Sequence, residues 1–85
     1  MPAKRKPKLP QVVERKLGKH NADGLCWQEG VIEIDSRLRG CYRLEILCHE
    51  TLHHMFPDMT EEEVIKHAKI LSRVIWKQNY RRVSP

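Results

Sequence analysis

Residues 48–63 read CHETLHHMFPDMTEEE, and the reading of this stretch decides the fold. His49, Glu50 and His53 form the pattern H-E-x-x-H. Such a pattern arises by chance in roughly one chain of this size in several hundred, and a chain rich in histidine meets it more often. What raises it above a histidine-rich surface is its setting. Cys41, Leu44, Leu47, Cys48, Thr51, Leu52 and Met55 recur at intervals of three and four, which predicts one apolar stripe on a helix ending near Met55. Positions i and i+4 of a helix stand one above the other, so His49 and His53 can aim a ring nitrogen each at one metal ion, with Glu50 projecting beside them. Phe56-Pro57-Asp58 ends the helix, because proline cannot continue it and disfavours helical geometry just before it. Thr60 then opens another, with Glu63 three residues on as capping-box partner and Val64, Ala68, Leu71 and Ile75 as its core stripe, running to about Tyr80.

Upstream, LCWQ and GVIEID are two short β-type runs separated by Glu29 and Gly30, and a hairpin is the simplest outcome. Leu9, Val12, Val13 and Leu17 have helical spacing, with Pro10 suited to a first turn and Gly18 to a stop, so a short helix is expected there. The predicted order is therefore N-terminal helix, β-hairpin, H-E-x-x-H helix and a second long helix. This is a small α+β domain over residues 9–80.

The chain has 85 residues, enough for one modest core and not for two. Its net charge is +5, but Lys4, Arg5, Lys6 and Lys8 lie within the first eight residues. With Pro2 and Pro7 among them, Pro10 just beyond and no apolar run, residues 1–8 read as a basic disordered tail, and residues 81–85 as a C-terminal tail. No segment reads as a secretory signal or approaches the length of a membrane span, which places the protein in the cytoplasm without a membrane partner. Cys26, Cys41 and Cys48 are odd in number and contain no CxxC pair, so they read as unpaired thiols.

Two histidines do not hold zinc, and a third ligand is required. Asp58, Glu61, Glu62, Glu63 and His67 are the candidates, with His54 rotated about 100° from His53 and unsuited to the role. Acidic residues at a helix start also serve the cap and the macrodipole, which suffices to account for Glu61. Glu63 and His67, four apart, share one flank of the second helix.

The arrangement GVIEID, ILCHETLHH and EEEVIKHAKIL resembles the small zincin metallopeptidases, most nearly the ImmA/IrrE-like group and more loosely the SprT-like group. In the former a glutamate of the helix after the motif is the third zinc ligand. Laid on this chain it falls on Glu63, with Ala68 and Leu71 matching later positions; Val64 and Ile65 depart from that pattern, which keeps Glu62 open, and a SprT-like pattern favours His67. The resemblance implies a zinc-dependent hydrolase that cuts peptide bonds in a protein or peptide substrate through a metal-activated water. Glu50 is then the base and His49, His53 and Glu63 are the ligands. Substrate would lie as an added strand, with GVIEID as the candidate edge. With so little chain to wall the cleft, a partner protein is expected to help hold substrate. The alternative is a non-catalytic, zinc-stabilised binding or regulatory protein, with nonspecific nucleic-acid affinity through its basic tail. Lys77, Arg81 and Arg82 add charge near the other end.

Overall fold

The structure, a computed structural model, describes residues 8–83. Its elements are strand β1 (Gln11–Arg15), a 3-10 turn (Gly18–His20), strands β2 (Gly24–Trp27) and β3 (Val31–Asp35), and helices α1 (Gly40–Met55) and α2 (Glu61–Lys77). The class is α+β, as the residues predict. The hairpin forms: β2 and β3 are antiparallel, joined through Gln28 to Gly30, where Gly30 takes a φ of 89° that side chains rarely adopt.

The expected helix over residues 9–17 is instead strand β1, which pairs parallel with β3, Gln11 opposite Val31 and Arg15 opposite Asp35. The helical spacing rested on Leu9, which is 95 % exposed, and only Leu17 of the four apolar positions is buried. No core face exists for such a helix. Adjacent β-branched Val12 and Val13 suit a strand, and β3 offers an unpaired ladder, so tertiary pairing overrides the local pattern. This addition moves GVIEID from the edge to the centre of a sheet ordered β1-β3-β2. The free edge on the helix side is β2.

Central placement explains the burial of β3. Ile32 and Ile34 are fully buried beneath α1, and Glu33 and Asp35 on the alternate positions are buried too. Those two carboxylates are paired. Glu33 accepts from the Trp27 indole (2.8 Å) and meets Arg15 (2.9 Å). Asp35 takes the Arg37 guanidinium in a fork, Nε at 2.9 Å and an Nη nitrogen at 2.7 Å, and accepts from the backbone N–H groups of Arg37 and Leu17. It thereby fixes the exits of β1 and β3 together.

Helix α1 lies on β2 and β3, and α2 packs on α1 without touching a strand. Cys48, Leu52, Val64 and Ala68 form the interhelical core, flanked by Leu44, Met59 and Ile75. Leu71, expected in this stripe, is 44 % exposed, and Ser72 occupies the inward position. The capping box at Thr60 and Glu63 is present as read from the sequence. The helix stops at Lys77, three residues short of the expected end, because Asn79 adopts φ 67° and closes a Schellman turn: Tyr80 N–H donates to Ile75 O and Asn79 N–H to Trp76 O. The cysteines are unpaired thiols. Among the described residues no helix is long and apolar enough to cross a membrane.

The arginine fork and the backbone donors hold the Asp35 carboxyl well below the usual carboxylate range. A group whose folded pKa is depressed contributes stability that is complete above its unfolded pKa, about 4, and is lost as pH falls toward the folded value. Asp35→Asn is therefore expected to lower the melting temperature at pH 7, with the gap to the parent narrowing as pH falls from about 5 toward 2. Thermal melts across that range check this; a gap independent of pH would show that packing, and not charge, sets the cost.

Candidate metal centre

Helix α1 has buried contacts on two sides, toward α2 through Cys48 and Leu52 and toward the sheet through Glu50. On a helix His49 stands about 100° from Cys48, and His53 one turn beyond it. Both histidines thus emerge on the flank between the two contact faces, half-buried, with ring centroids 4.9 Å apart. The turn through Phe56 to Thr60 is tied by the Phe56 N–H to Leu52 O and the Met59 N–H to Phe56 O, and it delivers the first residue of α2 back to that flank.

That residue is Glu61. Its Oε1 lies 2.9 Å from His49 Nε2 and 2.9 Å from His53 Nε2, and the three donor atoms lie within 4.8 Å of one another. The His53 Nε2 contact is a hydrogen bond, and His49 Nε2 approaches the same oxygen at ion-pair distance. With Nε2 of both rings unprotonated, two imidazole nitrogens and one carboxylate oxygen lie close enough together to be candidate ligands of one ion. Ligands about 2.0–2.2 Å from a tetrahedral zinc stand roughly 3.3 Å apart; the two nitrogen–oxygen spacings of 2.9 Å are near that value, and the two nitrogens lie within 4.8 Å of each other. Neutral imidazole and carboxylate are donors that zinc accepts.

Glu63, expected to complete the set, is not brought to the pair. Its Oε1 accepts from the Thr60 backbone N–H (3.1 Å) and the Thr60 hydroxyl (3.0 Å), and these bonds lower its pKa. The capping box visible in the sequence already claimed this carboxylate, and that was the signal separating Glu63 from Glu61. The His67 Nδ1 bonds the Glu63 carbonyl (2.6 Å), and His54 Nε2 bonds the Lys8 carbonyl (2.7 Å). Among the described residues neither of these histidines, nor Asp58 or Glu62, joins the donor group.

Glu50 lies on the sheet side of the same helix, 8 % exposed. Burial pushes its carboxyl above the ordinary range; the His49 and His53 charges pull it down, and the Glu61 charge adds to the rise. It fits there because the strand above carries no side chain. A Cβ at Gly24 would stand 2.9 Å from Glu50 Cγ and 2.7 Å from Ile46 Cγ2, and 3.1 Å from a Glu50 oxygen. The expected β-type run begins at Leu25, one residue after Gly24, so nothing in the sequence points to this role. Gly24 to Gln28, His49, Glu50, His53 and Glu61 line a cleft of about 690 Å³ between the edge of β2 and the start of α2. Cys26, in the same wall, has its thiol pKa raised by burial and by the Glu50 charge, which keeps it protonated.

The arrangement is thus three donors on one side of a cleft, a buried carboxylate beside them and a free strand edge along the rim. The chain matches no protein-family model, no curated protein and no solved structure.

Proposed function

We propose that the protein is a zinc-dependent peptidase in which His49, His53 and Glu61 hold the metal and Glu50 is the general base. One observation carries the reading. The donor group leaves out Glu50, yet the fold buries that carboxylate next to the group and clears space for it at Gly24. A structural zinc site is closed by a fourth protein ligand, whereas a catalytic one keeps three and needs a base nearby.

Zinc, when bound, supplies an acidified water and a Lewis acid for the peptide carbonyl. The protein's own part is positional. β2 offers backbone donors and acceptors on its free edge, so an extended peptide can add there as a strand, its scissile bond carried past Glu50. Glu50 accepts the proton of the attacking water and returns it to the leaving amine. A raised pKa makes its carboxylate a better base than an exposed one. A short cleft grips a peptide over few residues, and a partner protein that lengthens the wall would raise affinity.

Elemental analysis of protein purified without a histidine tag should give one zinc per chain. Glu61→Ala should weaken zinc binding by more than the roughly 10–100-fold typical of outer-shell losses, whereas Glu63→Ala should leave zinc affinity unchanged and lower the melting temperature through loss of the capping box. A zinc titration in which Glu63→Ala is the damaging variant would reverse the assignment.

Glu50→Gln preserves shape and removes the base. Zinc content and melting temperature should persist while cleavage of an unfolded protein substrate falls by roughly 10²–10⁴. A wild-type chain that cleaves nothing, with four protein ligands on its zinc by X-ray absorption, would instead establish a zinc-stabilised binding protein.

A further inference from the structure

At the opposite end of the helix pair, β1, the first turns of α1 and the residues from Ile75 to Val83 enclose a second groove, of about 720 Å³. Arg39, Arg43, Arg81 and Arg82 line it against a single carboxylate, Glu14. Glu14 is shared: Arg43 reaches it at 3.2 Å and Arg82 grips both its oxygens, at 2.8 and 2.9 Å. Arg39 donates to the carbonyls of Ser36 and Leu38, and Arg81 to those of Trp76 and Tyr80. Carbonyls orient a guanidinium without cancelling its charge, so four cations and one anion leave three positive charges uncompensated. Leu44, Leu47 and Ile75 make the remaining lining apolar.

The charge continues out of the groove. Lys69, Arg73 and Lys77 recur at four-residue steps on the exposed face of α2, and none of them forms an ion pair among the described residues. Helical geometry puts Arg73 one turn before Trp76 on the same face, and Lys77 one turn after Arg73. Two aromatic rings stand where this stripe meets the groove. Trp76 carries the Arg81 guanidinium 3.5 Å from its ring centre, and Tyr80 is 69 % exposed. A ligand that uses both the cations and an open aromatic face is a chain of phosphates bearing flat rings. A duplex keeps its bases stacked on one another and presents none to Tyr80, whereas a single strand can.

We propose that this surface binds single-stranded nucleic acid, phosphates running along Arg73, Lys77, Arg81 and Arg39, with a base stacked on Tyr80. Among the described residues the site is separate from the metal centre and is built from none before Glu14. The test is fluorescence anisotropy of a labelled 20-nucleotide thymidine strand with the full chain over a range of salt. Arg73→Glu combined with Lys77→Glu should weaken binding at least 10-fold and flatten the salt dependence by about 0.7 in slope for each phosphate no longer neutralised. Lys16→Glu with Lys19→Glu, the same charge change on exposed residues elsewhere, should weaken it far less. Tyr80→Ala should cost about 5-fold or more with the salt slope unchanged, because stacking releases no counterions. Removing residues 1–8 should leave all three differences in place. The proposal is overturned if the two charge-reversed pairs weaken binding equally while Tyr80→Ala has no effect, or if binding disappears with residues 1–8. It is equally overturned if polyglutamate displaces the strand as well as unlabelled thymidine strand does, which would make the surface an acidic-peptide site.

Discussion

Helix α1 is the one element in contact with both the sheet and the other helix, and the candidate site follows from that double duty. A helix buried on two opposite sides has only its flanks left for polar residues. His49 and His53 occupy one flank, and their spacing of four keeps both on it through a full turn. The face toward α2 is closed by Cys48 and Leu52 meeting Val64 and Ala68. Those contacts fix how α2 lies, and the short turn from Phe56 to Thr60 fixes where it starts. Glu61 reaches both histidines because the packed interhelical core and the short turn bring the first residue of α2 to their flank.

The parts legible in the sequence are those specified by neighbours along the chain. The motif helix, the proline break, the capping box and the hairpin each rest on residues within a few positions of one another, and all four stand in the structure. Strand β1 was not legible for the opposite reason. Its partner lies twenty residues away, Gln11 against Val31, and within residues 9–17 the strand preference of two adjacent valines competes with the helical spacing of Leu9, Val12, Val13 and Leu17. That one misreading carried others with it, since the position of GVIEID in the sheet depends on whether β1 is there to cover it. Asn79 is a smaller case. Its left-handed conformation ends α2, and asparagine near a helix end is a recognised stop, though a weaker one than glycine.

The candidate site divides the same way. His49, Glu50 and His53 come from one helix, and their relation is set by helical geometry alone. The third donor comes from another helix, and its identity turns on which acidic residue is free. In the run Glu61-Glu62-Glu63 the sequence offers three carboxylates and one cap. Thr60 takes Glu63 by a local bond that forms however α1 is placed, so the cap removes the residue favoured by resemblance and leaves Glu61 to face the histidines.

Three carboxylates are buried in this small domain, and their environments separate structure from chemistry. Glu33 is tied to Trp27 and Arg15, and Asp35 to Arg37 and the Leu17 N–H; both hold strands in place, and the partners drive the Asp35 pKa down. Glu50 moves the other way. Desolvation dominates there, and the charges acting on it are His49, His53 and Glu61, the members of the donor group themselves. A carboxylate serving only the fold gains nothing from such a place, because burial disfavours its charged form without an arginine or a set of N–H groups to offset the loss. An apolar residue there would pack against Ile46 and the open backbone of Gly24 at lower cost. What a carboxylate at that position can do, and an apolar residue cannot, is exchange a proton with something held between the histidines and the edge of β2.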